Sequence, residues 1–166
     1  MEMKKDMTKK IWFIIIAVVV VAGIFLVLKL NTVKIEKDFT LKYLNGETFT
    51  LSQYTGRPII LSFILSRCPD CKKEAAVLNR AYNQLKKEKS LTVIGIAEDD
   101  EVNDLVKNLE IVFPVVRDEQ YRVAQLYGVK KLPHLVFINK KGKVVRSVME
   151  NVLDETTLDE YIHEIM

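Results

Sequence analysis

Apolar and polar residues follow three different rhythms along this chain, and each rhythm predicts a different kind of element. From Ile11 to Leu28 there are 18 consecutive residues without a charge. As a helix they span about 27 Å, close to the hydrocarbon thickness of a bilayer. Further on, Phe39–Tyr43 and Glu47–Leu51 flank Asn45–Gly46, a pair that favours positive φ and so a hairpin. Ile59–Leu65 is almost continuously apolar, as expected of a strand buried on both faces. After it Ala75, Leu78, Tyr82 and Leu85 recur at intervals of three and four, the stripe of an amphipathic helix that starts near Cys68.

The same reading continues to the C-terminus. Leu91–Ala97 is a second buried strand, and the acidic cluster from Glu98 to Glu101 opens a helix to about Leu109. Phe113–Val116 is short and extended. Asp118 caps a helix that ends at Tyr127, where Gly128 stops it. Leu135–Asn139 and Val144–Val148 form a closing hairpin around Lys141–Gly142, expected to supply antiparallel edge strands. Leu158, Tyr161, Ile162 and Ile165 mark a terminal helix. Strands alternating with helices predict an α/β fold. The expected organisation is a cytoplasmic N-terminus over residues 1–10, a transmembrane anchor over 11–28, a tether over 29–38 and one domain over 39–166.

Charge refines this picture. The net charge of +3 belongs entirely to residues 1–30, which hold five lysines and two acids; the rest of the chain is balanced. A neutral body excludes the basic surface that nucleic-acid binding needs. Four lysines before the apolar run and one after it orient the anchor with the N-terminus in the cytoplasm and the domain outside. A cleaved signal peptide would have a shorter apolar core and a small-residue cleavage site, and Leu26-Val27-Leu28-Lys29-Leu30 is a poor one.

The chemistry is concentrated in Cys68-Pro69-Asp70-Cys71, where a buried strand meets a helix. Two cysteines three apart at a helix start can close a disulfide, and the helix N-terminus stabilises a Cys68 thiolate. Cys68 at the helix mouth is expected to be the exposed, attacking sulfur, and Cys71, one turn inside, the resolving one. Pro69 suits the first helical turn. A purely structural disulfide, a zinc site and a haem attachment are the bland alternatives. Zinc lacks nearby ligands, since only His134 and His163 remain, and Lys72 stands where haem attachment needs a histidine.

Leu132-Pro133-His134 precedes the closing hairpin. With the Cys-Pro-Asp-Cys motif, Lys72-Lys73-Glu74, Phe113-Pro114-Val115-Val116, Tyr127-Gly128-Val129 and Phe137-Ile138-Asn139, it makes residues 36–166 resemble thioredoxin-fold proteins of the TlpA/ResA type. The resemblance implies a thioredoxin-like fold with an N-terminal β-hairpin and a central αβ insertion. It also implies an extracytoplasmic, membrane-anchored thiol–disulfide oxidoreductase acting on protein substrates. On this resemblance Pro133 is cis and faces the disulfide, Leu132 offers backbone hydrogen bonds to a substrate strand, and Glu98 (or its neighbour Asp99) relays protons to Cys71. No cofactor beyond the Cys68–Cys71 disulfide is expected. Apocytochrome c is among the candidate clients, and a membrane-embedded electron carrier is the natural partner.

Arg67 stands where this family often has an aromatic residue, and it is expected to steady a thiolate or guide an acidic client. Asp70 disfavours the thiolate and a protonated His134 would favour it; on balance the reading leans to a reductase over an oxidase. Peroxide chemistry is disfavoured because Leu65 and Leu61 occupy the positions where it needs a Thr or Ser and a Pro. The rival from another class is a copper-binding module that holds the metal with Cys68, Cys71 and His134.

Overall fold

The computed structural model describes residues 12–13, 15–24, 34–85, 91–98 and 101–166. The chain divides into two units, Met1–Thr32 and Val33–Met166. In the first, residues 12–13 and 15–24 are helical, with exposed side chains such as Trp12 and Val19. Among the described residues no helix is long and apolar enough to cross a membrane. The remaining residues of the expected 11–28 span, segment 1–10 and the first part of the tether lie outside the described residues.

The second unit is built on one sheet. Its strands are β1 (Thr40–Tyr43), β2 (Thr48–Thr50), β3 (Ile59–Ile64), β4 (Thr92–Ala97), β5 (Val115–Arg117), β6 (His134–Ile138) and β7 (Val144–Met149). Its helices are α1 (Pro69–Leu85), α2 (Val102–Asn108), α3 (Arg122–Tyr127) and α4 (Glu155–Ile165). The strands lie in the order β2-β1-β5-β4-β3-β6-β7. β3, β4 and β5 are parallel; β1, β6 and β7 join antiparallel. β3 and β4 are buried at every residue, which is why their sequences show no alternation.

One sheet face carries Ile60, Ile64 and Leu135 against Cys71 and Leu78 of α1 and Leu158 and Ile162 of α4. The other carries Phe63, Ile96 and Val136 against Phe49 of the first hairpin and Val123 and Tyr127 of α3. Thus α1 and α3 belong to opposite faces.

One expectation needs correction and two are met. The closing hairpin does not supply two edge strands: β6 lies between β3 and β7 with all five residues buried, and only β7 is an edge. The helix expected after the acidic cluster starts at Val102, directly after Glu101, while the Glu98 N–H still donates to Ile64 O of the sheet (3.3 Å). Asp118 caps its helix as expected, from four positions before its first residue, Arg122. It lies before a turn, and its carboxylate reaches forward to accept from the N–H groups of Val123 and Ala124, both at 2.8 Å.

Candidate functional site

The site forms where β3 leaves the sheet. Ile64 is its last strand residue, the Cys68 N–H donates to Leu65 O across the following turn, and Pro69 opens α1. Pro69 costs the helix nothing there, since first-turn N–H groups have no helical acceptor. Cys68 and Cys71 are joined by a disulfide with their Cα atoms 5.2 Å apart. The Cys71 N–H also donates to Cys68 Sγ at 3.1 Å. Cys71 is completely buried and Cys68 is half-buried. This asymmetry makes Cys68 the sulfur a macromolecule can reach.

Cys68 opens onto a cavity of about 480 Å³ whose lining includes Arg67, Glu98, Tyr121, Lys130 and Leu132. The Leu132–Pro133 peptide bond is cis, Pro133 is buried, and its carbonyl accepts from the Glu150 N–H at 2.9 Å. Thus Leu132 meets the same cavity as Cys68 although 64 residues separate them. Glu98 is 9% exposed and contributes to the same lining. Arg67 is largely in solvent and pairs with Glu101 at 3.4 Å. Pro69 and Asp70 are exposed, and Asp70 pairs with Lys73 at 2.8 Å. Exposed pairs of this kind contribute little to stability.

His134, next to Pro133, is the first residue of β6. It is buried, packs edge-on against Phe63, and its Nε2 lies 2.6 Å from Ser147 Oγ. Phe63 belongs to the face that α3 covers, whereas Cys71 belongs to the α1 face. Burial pushes the imidazole pKa down, so His134 is held neutral. Among the described residues no three metal-ligating side chains cluster.

Glu74, named in the sequence only as part of Lys72-Lys73-Glu74, also belongs to this site. It is 1% exposed, one turn beyond Cys71 on the same face of α1. Neither carboxylate oxygen has a hydrogen-bond partner, and desolvation raises its pKa to about 8. The signal was present in the spacing, because Glu74 falls on the stripe that Cys71, Ala75 and Leu78 define.

The AhpC/TSA family pattern matches residues 34–147 of this chain. A thiol-disulfide oxidoreductase ResA of Bacillus thuringiensis subsp. konkukian (strain 97-27) is 30% identical over 140 residues, covering 82% of this chain and 80% of that protein. Among solved structures, dsbF of MTB superposes with a TM-score of 0.73 at 24% identity, covering 81% of this chain and all of that one. StoA from Bacillus subtilis gives 0.64 at 24% identity, over 75% of this chain and 95% of that one. The two structural likenesses bear on the fold.

Proposed function

Since the chain belongs to the AhpC/TSA family and is a thiol–disulfide oxidoreductase of the ResA type, we propose that it works as a membrane-tethered, extracytoplasmic reductase of protein disulfides. The observation that carries this reading is the pairing of a reachable Cys68 with a fully buried Cys71, beside a cavity that Leu132 also lines. In the reduced protein the Cys68 thiolate attacks one sulfur of a client disulfide. The other client sulfur leaves and takes a proton. Cys71, deprotonated, then attacks Cys68 in the mixed disulfide, which frees the second client thiol. Two electrons pass to the client, and Cys68–Cys71 is left oxidised.

The direction rests on electrostatics. A reductant needs a stable disulfide, hence a thiolate with little cationic support. His134 is neutral and hydrogen-bonded to Ser147, so it brings no positive charge to the cysteines. Asp70 places a carboxylate inside the motif, whereas Glu74, its pKa raised to about 8, is largely protonated at neutral pH and adds little charge. The helix N-terminus is the opposing influence. The charge-free run of residues 11–28 and the lysines before it support the anchor and the outward orientation. Glu98, on the cavity wall, is the candidate proton relay. Clients such as apocytochrome c and a membrane electron carrier fit a reductase held at this surface. Copper binding would bring His134 to both cysteines, and its bond to Ser147 favours no such arrangement.

The test is the reduction potential of Cys68–Cys71 in the full chain in detergent, read by alkylation and mass, because the single tryptophan, Trp12, is remote in sequence. A value near or below about −250 mV supports the reductase; one near about −120 mV reverses the direction.

A further inference from the structure

We propose that Tyr121 selects the client, forming an aromatic wall of the Cys68 cavity that takes an apolar side chain next to the client's reacting cysteine. This inference rests on the oxidoreductase reading above.

The backbone at Tyr121 is left-handed, with φ 54° and ψ 20°. Bulky residues rarely adopt this region, because Cβ crowds the following carbonyl. The local hydrogen bonds show why the position demands it. The Tyr121 N–H donates to Asp118 O at 2.8 Å, and Tyr121 O accepts from the Gln125 N–H at 2.9 Å. The Asp118 carboxylate meanwhile holds the Val123 and Ala124 N–H groups, so the chain must reverse within Asp118–Tyr121 before α3 can start. Glycine or asparagine meets that demand at little steric cost.

The fold gains little from a tyrosine here. Tyr121 is 46% exposed, and its ring meets no other aromatic ring among the described residues. Tyr127, six residues on, is the contrast: it is 7% exposed, packs against Phe39 and Phe63, and donates its hydroxyl to Lys37 O. What Tyr121 does meet is the cavity that holds Cys68. A strained, half-exposed residue that faces a reactive cavity is the pattern expected of a functional side chain.

The neighbouring groups fix the chemistry of the ligand. Leu65, Ala124, Val129 and Leu132 line the cavity with it. Of the rim cations Arg67 pairs with Glu101 and Lys131 with Glu150 in solvent, and the exposed Lys130 shares the lining with the carboxylate of Glu98. An apolar client residue therefore matches the wall better than an acidic one. A client strand that brings its sulfur to Cys68 delivers the flanking side chain into this space.

The test uses the reduced full chain in detergent and two short peptides, Ala-Phe-Cys-Phe-Ala and Ala-Gly-Cys-Gly-Ala, each with its cysteine in a mixed disulfide with thionitrobenzoate. Cys68 attacks the peptide sulfur and releases the coloured thiolate; Cys71 then releases the peptide thiol, leaving Cys68–Cys71 oxidised. Rates are divided by those with dithiothreitol, which removes intrinsic differences between the peptides. The expected result is a preference of about tenfold for the phenylalanine peptide. That ratio persists in Tyr121→Phe and collapses towards one in Tyr121→Gly, whose urea midpoint is unchanged or raised. Equal rates in the wild type, a ratio that survives Tyr121→Gly, or a lowered midpoint in that variant overturns the inference. Reaction with the symmetrical thionitrobenzoate disulfide but with neither peptide overturns this inference alone. No reaction with any of the three overturns the oxidoreductase reading as well.

Discussion

Glu74 lies one helical turn past Cys71 on the buried face of α1, and neither of its carboxylate oxygens is hydrogen-bonded. Its pKa stands at about 8 against an ordinary 4.5. The sign of the consequence follows from linkage. Below pH 4.5 both folded and unfolded chains carry the proton, and this group costs nothing. As pH rises from 4.5 to 8 the unfolded chain releases the proton while the folded chain keeps it, so stability falls. The slope is at most about 1.4 kcal/mol per pH unit. Urea unfolding of the oxidised protein across this range is expected to show that loss, and Glu74→Gln is expected to remove it and to be the more stable protein above about pH 8. Parallel curves for the two proteins would rule out a buried, titrating Glu74.

The burial difference between the cysteines predicts opposite fates for their serine variants. Cys71→Ser leaves the reachable sulfur without a resolving partner, so a mixed disulfide with a protein client accumulates. Cys68→Ser leaves only a sulfur with no exposed surface and accumulates none. Non-reducing electrophoresis followed by mass analysis distinguishes them. Equal trapping by both variants would contradict the assigned roles.

His134 carries a prediction about what it does not do. Burial lowers its pKa below 6.5, so at pH above 6.5 it is neutral in both folded and unfolded chains. As pH falls below 6.5 the unfolded chain takes up the proton first, and stability is lost. This contribution opposes that of Glu74 where the two windows overlap. With its ring packed on Phe63, its Nε2 bonded to Ser147 and its charged form disfavoured by burial, His134 is expected to be no charge partner of the cysteines. His134→Asn is therefore expected to leave the pH profile of Cys68 alkylation in the reduced protein unmoved while flattening the acid limb of the stability curve. An alkylation profile that shifts in the variant would return His134 to the redox site.

Periodicity made most of this architecture readable. The two buried strands before and after α1, the Asn45–Gly46 turn with Gly46 at φ 87°, and the terminal helix stand close to where the spacing puts them. So does the Cys-Pro-Asp-Cys motif at the strand-to-helix junction. What escaped has identifiable causes. A strand buried on both faces has no alternation, so nothing in Leu135–Ile138 reveals which face His134 takes or that β6 is interior. Glu74 follows Lys72 and Lys73, and the run of charges hides that only its third member turns inward. The left-handed backbone at Tyr121 is imposed by the reach of Asp118, a contact that composition alone does not announce.

Gly142 sets where the chain enters the domain. It has φ 74°, its carbonyl accepts from the Glu36 N–H at 2.9 Å, and a Cβ there would lie 2.7 Å from Lys34 O and 2.8 Å from Ile35 Cα. Both contacts are with backbone, which cannot rotate away. Ile35 is 2% exposed beneath this turn, and Lys37 O accepts from the Tyr127 hydroxyl. The segment that follows the expected anchor is thus tucked under the β6–β7 turn and tied to α3. Gly142→Ala combines a left-handed backbone with a steric clash, so its cost exceeds about 1 kcal/mol. The first thing to yield is the seating of residues 34–36, since the sheet itself is untouched. Limited trypsin digestion should then cut after Lys34 and Lys37 faster in the variant, while the reduction potential of Cys68–Cys71 stays as in the wild type. Unchanged cleavage together with an unchanged urea midpoint would mean that the turn does not hold this segment.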